Sequence, residues 1–441
     1  MWHHIKEFPI YSSVFQELGS WLHLTKALLT LSIPNRLESL TRAYSLAQSQ
    51  FTIRLISHVL SRYLPSASNS IPTKITPLWE RHQIGWKRYQ TQLDQSAAAS
   101  RTLILKAPNA NGEKGVIVSC FEYNWLRILS GTQPFEKFDH RYTLIFSTSW
   151  SPTNYNILAL ALEKISGPVF VIPCNYKESE KLNQFHPRIH PLSCLACDWL
   201  NPDFFDPKPW VNREIDILMV SNWAPFKRHW HFFDILQKLP ADLKVVCVGQ
   251  PEGSFTLEHI KELQKTHNAP QHIEYLERIP IEKVNELQCN SKIAIILSRR
   301  EGCCVAAVEG MMAGAYLAML EDAHIGPLDY INAQTGIKLK PETATQQISD
   351  LLNRPPEISP HEWAKANISC HNSIDKVNND LKVAALHSGQ PWTKDLATPC
   401  WRPFPCFIDP ADKQNLVPFA EKLTKSFPSV FPAKWVESSR F

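Results

Sequence analysis

The sequence predicts an α/β protein with two doubly wound domains and a helical N-terminal extension. From residue 101 onward, short apolar runs of strand length alternate with longer amphipathic segments of helical period. Such alternation with short loops is typical of βαβ units around a mostly parallel sheet. The alternation occurs in two blocks, which are separated by the polar, Pro-rich stretch DWLNPDFFDPKPWVNRE. Before residue 101, the apolar residues recur at helical spacing instead.

The domain boundaries follow from these changes of period. We assign residues 1–100 to a helical extension and residues 101–208 to the first α/β domain. Residues 209–370 form the second α/β domain, and residues 371–441 form a tail that is expected to pack back on the first domain. A chain of 441 residues is long enough for two or three domains with real cores.

Each element before the linker follows from its local pattern. The extension is predicted to contain the helices VFQELGSWLHLTKALLTL, FTIRLISHVLSRYL and, after the loop SASNSIPTKITP, LWERHQIGWKRYQTQLDQSAAA. The first block begins with a hairpin of TLILKAP and GVIVSCF, joined by the turn NANGEK. Helix NWLRILSG, strand YTLIFSTS, helix PTNYNILALALEKISG with Gly167 at its end, strand PVFVIPC, helix YKESEKLNQF and strand IHPLSCLAC follow.

The second block repeats the same alternation. Its strands are predicted in IDILMVSNW, LKVVCVGQ, HIEYLER, IAIILS and YLAMLED, with helices HWHFFDILQKL, LEHIKELQKTH and IEKVNELQCNS between them. The tail is predicted to contain one helix at Asp375–Leu386 and a second helix near Pro418–Ser426. Ligands of such sheets bind at the carboxyl ends of the strands, so the loops there are the expected site.

Composition excludes several classes of function. The net charge of +4 is spread thinly, so we expect no nucleic-acid partner. The eleven cysteines fall mostly inside predicted strands and helices, which is typical of reduced cysteines in a cytoplasmic protein. Cys194 and Cys197 form a lone C-x-x-C without a second ligand pair, so we expect no metal site.

No apolar run is long enough to span a bilayer. Leu18–Ile33 is the most apolar candidate, and His23 and Lys26 interrupt it. It fits two alternatives, an amphipathic helix that lies on a membrane surface or one that packs on the next domain. We therefore expect a cytoplasmic protein, with the inner face of the membrane as an alternative location.

One segment of the second block, SRREGCCVAAVEGMMAGAYLAML, carries the most informative chemistry. Ile293–Ser298 is predicted to be a buried strand and Val305–Met312 the start of a helix, which Gly314 ends. Glu301 then lies on the loop at the carboxyl end of the strand, and Glu309 lies about one turn inside the helix. The backbone N–H groups between them point out of the helix N-terminus, where an anion is stabilised. The residues of this cradle are Gly302, Cys303, Cys304 and Val305.

A second loop, SNWAPFKRHW, is predicted to reach the same edge of the sheet. A lysine at Lys227 can neutralise a diphosphate there, and the amide of Asn222 can donate to a phosphate oxygen. The alternative explanations are a solvated Lys-Arg pair at a helix start and an acid that favours the first turn of a helix. These alternatives do not explain Glu301 and Glu309 at this spacing together with Lys227.

These segments together resemble the C-terminal domain of the family 4 glycosyltransferases, which have the GT-B fold. The usual family pattern is Gly-Arg or Ser-Asn after the first strand, a Lys four or five residues on, then E-G-F-G-x4-E and A-x-A-x-G. The corresponding residues here are Ser221-Asn222, Lys227, Glu301-Gly302-Cys303-Cys304, Glu309 and Met311-Met312-Ala313-Gly314, followed by GPLDYINAQTGIKLKP. The resemblance covers residues 211–352, is only architectural over 101–208 and is absent over 1–95. It implies two Rossmann-like domains that face a cleft.

The resemblance also implies a role for each residue. It implies retaining transfer of a sugar from a nucleotide-diphosphate sugar, without a bound metal or another cofactor. Glu301 would hold hydroxyls of the donor sugar and Glu309 would hold the ribose, while Lys227 with Asn222 would hold the diphosphate. Glu301 and Lys227 are therefore the expected catalytic residues. The other expected donor-binding residues are Gly249, Arg278, Ile279, Gly302, Cys303, Cys304 and Val305.

The sequence departs from the family pattern in both domains. Cys303 and Cys304 replace the usual bulky residue and glycine, and Asn222 replaces the commoner Arg. In residues 101–208, which would form the acceptor side, the loop SWSPTN has no His, and NANGEKG matches the family's glycine loop poorly. The catalytic residues of that domain are therefore unassigned. The candidates are Ser149, Trp150 and Asn154, while His140, His186 and His190 are predicted to be structural.

The acceptor is not specified beyond a sugar, a lipid-linked compound or a small molecule. Two alternative functions remain open at this point. The first is a catalytically silent GT-B-fold protein that binds partners through its helical extension. The second is another chemistry of the same fold, such as that of a nucleotide-sugar epimerase or a phosphorylase.

Overall fold

The computed structural model describes residues 9–64, 102–403 and 405–437, and it divides them into two compact units. Unit 1 consists of the described residues of Met1–Ala196, Ile374–Pro399 and Pro405–Phe441. Unit 2 consists of Cys197–Ser373 and Cys400–Phe404. The third predicted helix of the extension and the loop before it lie outside the described residues. The division between the units lies at residues 196/197, whereas the boundary expected from the sequence lies at 208/209.

Unit 1 begins with the predicted helices and the first sheet. The helices of the extension are α1 (Pro9–Leu29), α2 (Ile33–Leu46) and α3 (Gln50–Leu60). The elements that follow are β1 (Thr102–Lys106), β2 (Gly115–Cys120), α4 (Glu122–Gly131), α5 (Phe135–Arg141), β3 (Tyr142–Ser147), α6 (Tyr155–Lys164), β4 (Val169–Ile172), α7 (Tyr176–Phe185) and β5 (Ile189–Pro191).

The sheet of unit 1 has the order β1-β2-β3-β4-β5. Strands β1 and β2 form the predicted antiparallel hairpin, and the other neighbours are parallel. The described strands of unit 1 follow one another in chain order, without the reversal of strand order that defines a doubly wound sheet. Among the described strands, that reversal is found in unit 2. The predicted α/β class with mainly parallel sheets is confirmed.

Two local features of unit 1 differ from the sequence prediction. Helix α5 was not predicted, because its buried residues are two apolar ones, Phe135 and Phe138, and the acidic Asp139, which give no repeated apolar pattern. The expectation that Gly167 ends α6 is wrong. The chain leaves α6 at Ile165 in an extended conformation, so no left-handed glycine is needed there.

The extension packs on the helices that cover the sheet of unit 1. The hydroxyl of Tyr44 donates to the carbonyl oxygen of Lys181 at 2.7 Å, and the Lys181 ammonium donates to the carbonyl oxygen of Ser45 at 2.9 Å. The rings of Tyr44 and Tyr155 lie 4.7 Å apart, edge to face. Aromatic pairs of this geometry add stability beyond their buried area. The extension is therefore an integral part of unit 1.

Helix α1 has one buried face and one exposed apolar face. Leu24 and Ala27 are buried, and the hydroxyl of Ser20 donates to the carbonyl oxygen of Ala43 in α2 at 2.8 Å. The opposite face carries exposed leucines at helical spacing, which are Leu18, Leu22 and Leu29. We call these three residues the apolar stripe of α1. Helix α1 thus packs on α2 of the same extension, and this packing leaves the stripe exposed among the described residues.

Unit 2 is built around a six-stranded parallel sheet. Its elements are β6 (Ile215–Val220), α8 (His229–Leu236), β7 (Val245–Gly249), α9 (Leu257–Thr266), β8 (Ile273–Glu277), α10 (Ile281–Cys289), β9 (Ser291–Ile296), α11 (Val305–Met312), β10 (Tyr316–Leu320), β11 (Gly336–Leu339), α12 (Ala344–Leu352) and α13 (Pro360–Ile368). The strand order is β11-β10-β9-β6-β7-β8. The chain moves outward from β6 to β8, returns to β9 beside β6, and then moves outward on the other side. The reversal between β6 and β9 is the predicted double winding.

Both faces of this sheet are buried, as the continuous apolar runs predict. Val245 and Cys247 belong to one apolar cluster, whereas Val246 and Val248 belong to the cluster on the other face. The first cluster includes Phe232 and Phe233 of α8. Burial on two faces favours a parallel sheet between two helix layers, because neither side then exposes apolar surface to water.

The tail contains α14 (Cys370–His387), β12 (Pro399–Cys400), β13 (Cys406–Phe407), α15 (Pro410–Ser426) and α16 (Ala433–Glu437). The two predicted tail helices correspond to α14 and α15. Within unit 1, the backbone N–H of Ala397 donates to the carbonyl oxygen of Leu105, and the indole of Trp435 donates to that of Thr102, both at 2.8 Å. These hydrogen bonds attach the tail to β1.

A buried ion pair in the β1–β2 hairpin also holds the tail. The Lys106 ammonium lies 2.9 Å from the Glu113 carboxylate, and both side chains are almost fully buried. The backbone N–H and the hydroxyl of Thr393 donate to the same carboxylate. Burial alone would raise the pKa of Glu113, but these hydrogen bonds and Lys106 lower it to about 2. Glu113 is therefore ionised under ordinary conditions and binds the tail as a carboxylate.

Candidate functional site

The candidate site lies at the carboxyl ends of β6 and β9, where the strand order of unit 2 reverses. The loop after β6 forms a 3₁₀ turn at Pro225–Lys227, and the loop after β9 carries Glu301. The Lys227 ammonium lies 2.7 Å from Glu301 Oε1, and the two side chains are 13% and 10% exposed. The structure thus brings together the two residues that the sequence analysis selected as catalytic.

The shape of the Lys227 loop depends on Trp223. This tryptophan is fully buried, its backbone N–H donates to the carbonyl oxygen of Gln250 at 2.8 Å, and its indole donates to Glu277 at 2.9 Å. A Cβ atom on Gly249 would lie 2.3 Å from the carbonyl oxygen of Ser221 and 2.9 Å from the Trp223 ring. Gly249 is therefore needed for close packing of the loops after β6 and β7.

The other predicted polar group of this loop, Asn222, has a carboxylate partner. Its amide donates to Glu252 at 3.0 Å. Arg278 is exposed and has a left-handed backbone, φ 53°, and its N–H donates to the carbonyl oxygen of Gly249 at 3.0 Å. Ile279 packs against one of the apolar clusters. In this structure, Asn222 and Ile279 are thus bound to other protein groups, and a ligand would need Asn222 to exchange its partner.

His229, the first residue of α8, was not predicted to belong to the site. Its side chain is buried, and its Nε2 lies 3.4 Å from the hydroxyl oxygen of Ser221. Burial and the nearby Lys227 ammonium lower the pKa of His229 to about 3. The imidazole is therefore neutral and adds no positive charge beside Lys227. A histidine at a helix start has no pattern that distinguishes it from a surface residue, so its burial could not be predicted.

Helix α11 begins next to Glu301 and spans Val305–Met312, the predicted range. The strand before it is Ser291–Ile296, shifted from the predicted Ile293–Ser298. Cys304 is the N-cap, and its backbone is left-handed with φ 43° and ψ 56°. Only glycine adopts this conformation readily, which explains why the family pattern has glycine there. Burial and the neighbouring Glu301 raise the pKa of the Cys304 thiol, so the thiol is neutral.

The end of α11 confirms the predicted role of Gly314. Gly314 has φ 77°, its N–H donates to the carbonyl oxygen of Met311, and the N–H of Ala315 donates to that of Gly310. This pair of bonds is a Schellman motif. A Cβ atom on Gly310 would lie 2.5 Å from Cβ of Ala294, so α11 packs closely against β9. The close packing fixes the position of the helix N-terminus relative to the end of the strand.

Glu309 is buried inside α11 and has a cationic partner that the sequence analysis did not identify. Arg402 Nε donates to Glu309 Oε1, and the Gln288 amide donates to the other carboxylate oxygen at 3.5 Å. Arg402 belongs to Cys400–Phe404, which is part of unit 2, and the backbone N–H of Trp401 donates to the carbonyl oxygen of Trp199 at 2.8 Å. Arg402 lies in a stretch of irregular chain without periodicity, so no sequence pattern could connect it with Glu309.

The candidates in unit 1 have structural partners. The Ser149 hydroxyl donates to the Glu122 carboxylate, and Asn154 caps α6 by accepting from the N–H of Asn156 at 3.1 Å. Trp150 is 44% exposed. His186 accepts from the N–H of Arg188 at 3.1 Å, while His190 packs near Phe170 and His140 is exposed on α5.

The structure also bears on metals, cysteines and membranes. No disulfide joins the eleven cysteines, each of which lies in the described residues, and Cys194 and Cys197 are both buried. Within residues 9–64, 102–403 and 405–437, no group of three or more metal-ligating side chains is placed to hold a metal ion. No helix in the described part of the chain combines the length and the apolar character needed to cross a bilayer.

Residues 201–368 match the family model of the group 1 glycosyl transferases. This match covers less than half of the chain. No curated protein sequence matches the chain.

Several solved structures are similar to it at low identity. A mutant of S. aureus TarM in complex with fondaparinux, alpha-GlcNAc-glycerol and UDP is 16% identical with a TM-score of 0.41, over 56% of this chain and 50% of that chain. Sucrose-phosphate synthase from Thermosynechococcus elongatus is 15% identical with a TM-score of 0.48, over 62% and 74%. Anabaena HepE in complex with UDP and glucose is 11% identical with a TM-score of 0.46, over 75% and 89%.

The aligned part of this chain spans about half the length of TarM. The family match is more informative about the site, because it includes Lys227, Glu301 and Glu309. The residues that meet where the strand order of unit 2 reverses therefore lie inside the stretch that matches the group 1 glycosyl transferases.

Proposed function

We propose that this protein is a retaining glycosyltransferase that moves a sugar from a nucleotide-diphosphate sugar to an acceptor. The observation that carries the proposal is the pair of Lys227 and Glu301, 2.7 Å apart at the reversal of the strand order and beside the N-terminus of α11. Ligands of doubly wound sheets bind at this position. The family match over residues 201–368 supports the same reaction class.

The proposed chemistry is electrostatic. When the bond between the sugar and the diphosphate breaks, negative charge develops on the departing nucleoside diphosphate. Lys227 and the backbone N–H groups at the start of α11 would stabilise this charge, because both are fixed before the reaction begins. A partly buried lysine acts more strongly than an exposed one, since water screens it less. The proposal needs no bound metal.

The two glutamates would hold the two ends of the donor. Glu301 would accept hydrogen bonds from sugar hydroxyls, and Glu309 would accept those of the ribose. Arg402 and Gln288 contact Glu309 in this structure, so they would orient its carboxylate for the ribose. The resemblance to family 4 enzymes supports these roles and the retaining outcome.

Binding and turnover of the donor test the proposal. The full chain is incubated with UDP- and GDP-sugars, and both the shift of the melting temperature and the release of nucleoside diphosphate are measured. We expect at least one donor to raise the melting temperature and to be turned over. Glu301→Ala and Lys227→Ala should abolish turnover. The controls are Glu262→Ala and Lys261→Ala, which change exposed residues of α9 and should leave turnover intact. A chain that no nucleotide-sugar stabilises would contradict the proposal.

One observation favours the alternative of a catalytically silent binding protein. Arg402 donates to one carboxylate oxygen of Glu309 and Asn222 donates to Glu252, so two of the groups proposed to hold the donor already have protein partners. A silent protein would keep these contacts when nucleotide-sugars are added. The same assay separates the two functions, because the silent protein would release no nucleoside diphosphate from any donor of the panel.

A further inference from the structure

Unit 1 contains a large half-open cavity that none of the predicted donor residues lines. It lies between α1, α2 and the start of α6, and its volume is about 720 Å³. This volume lies within the range of pockets that hold a small-molecule ligand. The residues that matter for its chemistry are His23, Lys26, Glu38, Arg42 and Thr153.

The cavity is positively charged. Lys26 and Arg42 are basic side chains, and Glu38 is the one acidic side chain among the residues that line the cavity in the described part of the chain. Burial and then the charges of Arg42 and Lys26 lower the pKa of His23. The field at His23 therefore opposes a further positive charge, and an anion in the cavity would relieve it.

Thr153 gives an independent sign of a ligand. This residue is fully buried, it lines the cavity, and its hydroxyl has no hydrogen-bond partner among the described residues. Buried hydroxyls are nearly always hydrogen-bonded, so an unpartnered one needs an explanation. The residue itself is fixed, because the Ser45 hydroxyl donates to its carbonyl oxygen at 3.4 Å.

The start of α6 completes the site. This helix has ten residues, and Asn154, Tyr155 and Asn156 at its N-terminus line the same cavity as Thr153. The side-chain oxygen of Asn154 already accepts from the N–H of Asn156, so the N-terminus of α6 favours an anion chiefly through the positive end of its helix dipole. A hydroxyl and an ammonium group can both donate to a phosphate group, and the helix dipole favours its negative charge.

We propose that this cavity binds a phosphorylated compound, with the phosphate held by Lys26, Thr153 and the N-terminus of α6. The cavity is much larger than a single phosphate, so the attached group fills the remaining space. The proposal does not depend on the proposed function, because every residue of the cavity belongs to unit 1 and none belongs to the donor site.

The phosphate has two sources that the experiment must separate. One source is a soluble phosphorylated compound, and the other is the headgroup of an anionic lipid. The lipid source is included because Lys26 lies on the same helix as the apolar stripe of α1, whose Leu22 is 72% exposed and Leu29 78% exposed. The shared chemistry is the phosphate group.

The test uses the full chain and two kinds of probe. Inorganic phosphate and glucose 6-phosphate are titrated calorimetrically, and vesicles of phosphatidylcholine with phosphatidic acid are used in sedimentation. The variants are Lys26→Gln and the nearly isosteric Thr153→Val. The matched control is Arg54→Gln, which removes an exposed cation of α3 outside the cavity. Melting temperatures establish that each variant is folded.

We expect the wild-type chain to bind a soluble probe or the vesicles, and both cavity variants to weaken that binding by about tenfold or more. Arg54→Gln should change it by less than about twofold, since exposed charges are screened. Phosphate that binds at the donor site is recognised separately, because Lys227→Ala removes it while Lys26→Gln does not. Failure of every probe to bind would overturn the proposal. Vesicle binding that survives both cavity variants would also overturn it, because it would come from the apolar stripe alone.

Discussion

The ion pair between Lys227 and Glu301 predicts that the substitution Glu301→Gln has opposite effects on the binding of free nucleoside diphosphate and on the binding of the donor sugar. In the structure without a ligand, Glu301 holds the lysine at 2.7 Å. If Lys227 is the partner of the diphosphate, a bound diphosphate competes with Glu301 for it. Removal of the Glu301 charge should therefore strengthen the binding of UDP or GDP, which have no sugar. The same change should remove a contact to the sugar of a complete donor.

The magnitude follows from the geometry. At 2.7 Å and an effective dielectric constant near 20, the attraction between Lys227 and Glu301 is about 6 kcal/mol. Desolvation offsets most of it, and measured couplings between neighbouring groups are about 0.5–3 kcal/mol. Release of Lys227 should thus tighten the binding of the nucleoside diphosphate by roughly 2- to 150-fold. A lost hydrogen bond to a charged group costs about 1.5–3 kcal/mol, which weakens the sugar contact by roughly 10- to 150-fold.

The assay compares the dissociation constants of UDP and UDP-glucose, and of GDP and GDP-mannose, for each variant by calorimetry. The ratio between sugar nucleotide and free nucleotide isolates the sugar contact, because Lys227 contributes to both. Glu262→Gln, at an exposed position of α9, is the control for loss of one negative charge. If Glu301→Gln weakened the binding of free UDP and GDP as Lys227→Gln does, the assignment of Glu301 to the sugar would be wrong.

Three further predictions concern stability. Arg402→Gln should destabilise the protein by about 3–5 kcal/mol in urea denaturation, because the buried Glu309 carboxylate loses its cation; an unchanged midpoint would contradict the assigned pair. Gly249→Ala should destabilise the protein by about 1–3 kcal/mol, because the new methyl group would lie 2.3 Å from the carbonyl oxygen of Ser221. A melting temperature equal to that of the wild type would contradict this prediction, since it would show that the loops accommodate the methyl group without loss of stability. Folding lowers the pKa of Glu113 from 4.5 to about 2, so at pH 7 Glu113→Gln should cost on the order of 3 kcal/mol. This stabilisation is fully present above pH 4.5 and is lost as the pH falls through 2, so a difference from wild type that persists unchanged at pH 2 would refute its electrostatic origin.

The parts of the fold that depend on local pattern could be predicted from the sequence. Burial on both faces of the second sheet requires continuous apolar strands between amphipathic helices. The βα alternation could therefore be recognised in the sequence. Val305–Met312 and Gly314 were predictable because a helix start, a helix length and a left-handed end each leave a local signature. The proximity of Lys227 and Glu301 could be predicted because the loops that follow parallel strands lie at the same edge of the sheet.

The contacts between distant segments could not be predicted. Arg402 and Glu309 are 93 positions apart, and no periodicity connects an irregular tail with a helix. The left-handed backbone of Cys304 could not be predicted either, because this conformation usually requires glycine and a cysteine gives no signal for it. Gly167 illustrates the opposite case, in which a local signal was misleading. A glycine after a helix predicted a left-handed cap, but the chain leaves the helix at Ile165 in an extended conformation.

The division of the chain determines the order in which the two units are completed during synthesis. Unit 2 needs Cys400–Phe404 to supply Arg402, and unit 1 needs the segments before and after it. Neither unit is therefore a contiguous piece of sequence. As the chain emerges from its N-terminus, the sheet of unit 1 is made first but obtains its last helices at the end, after unit 2 has received Arg402. A nascent chain that stops before residue 400 would hold Glu309 buried without its cation, so the candidate site of unit 2 is among the last parts of the protein to mature.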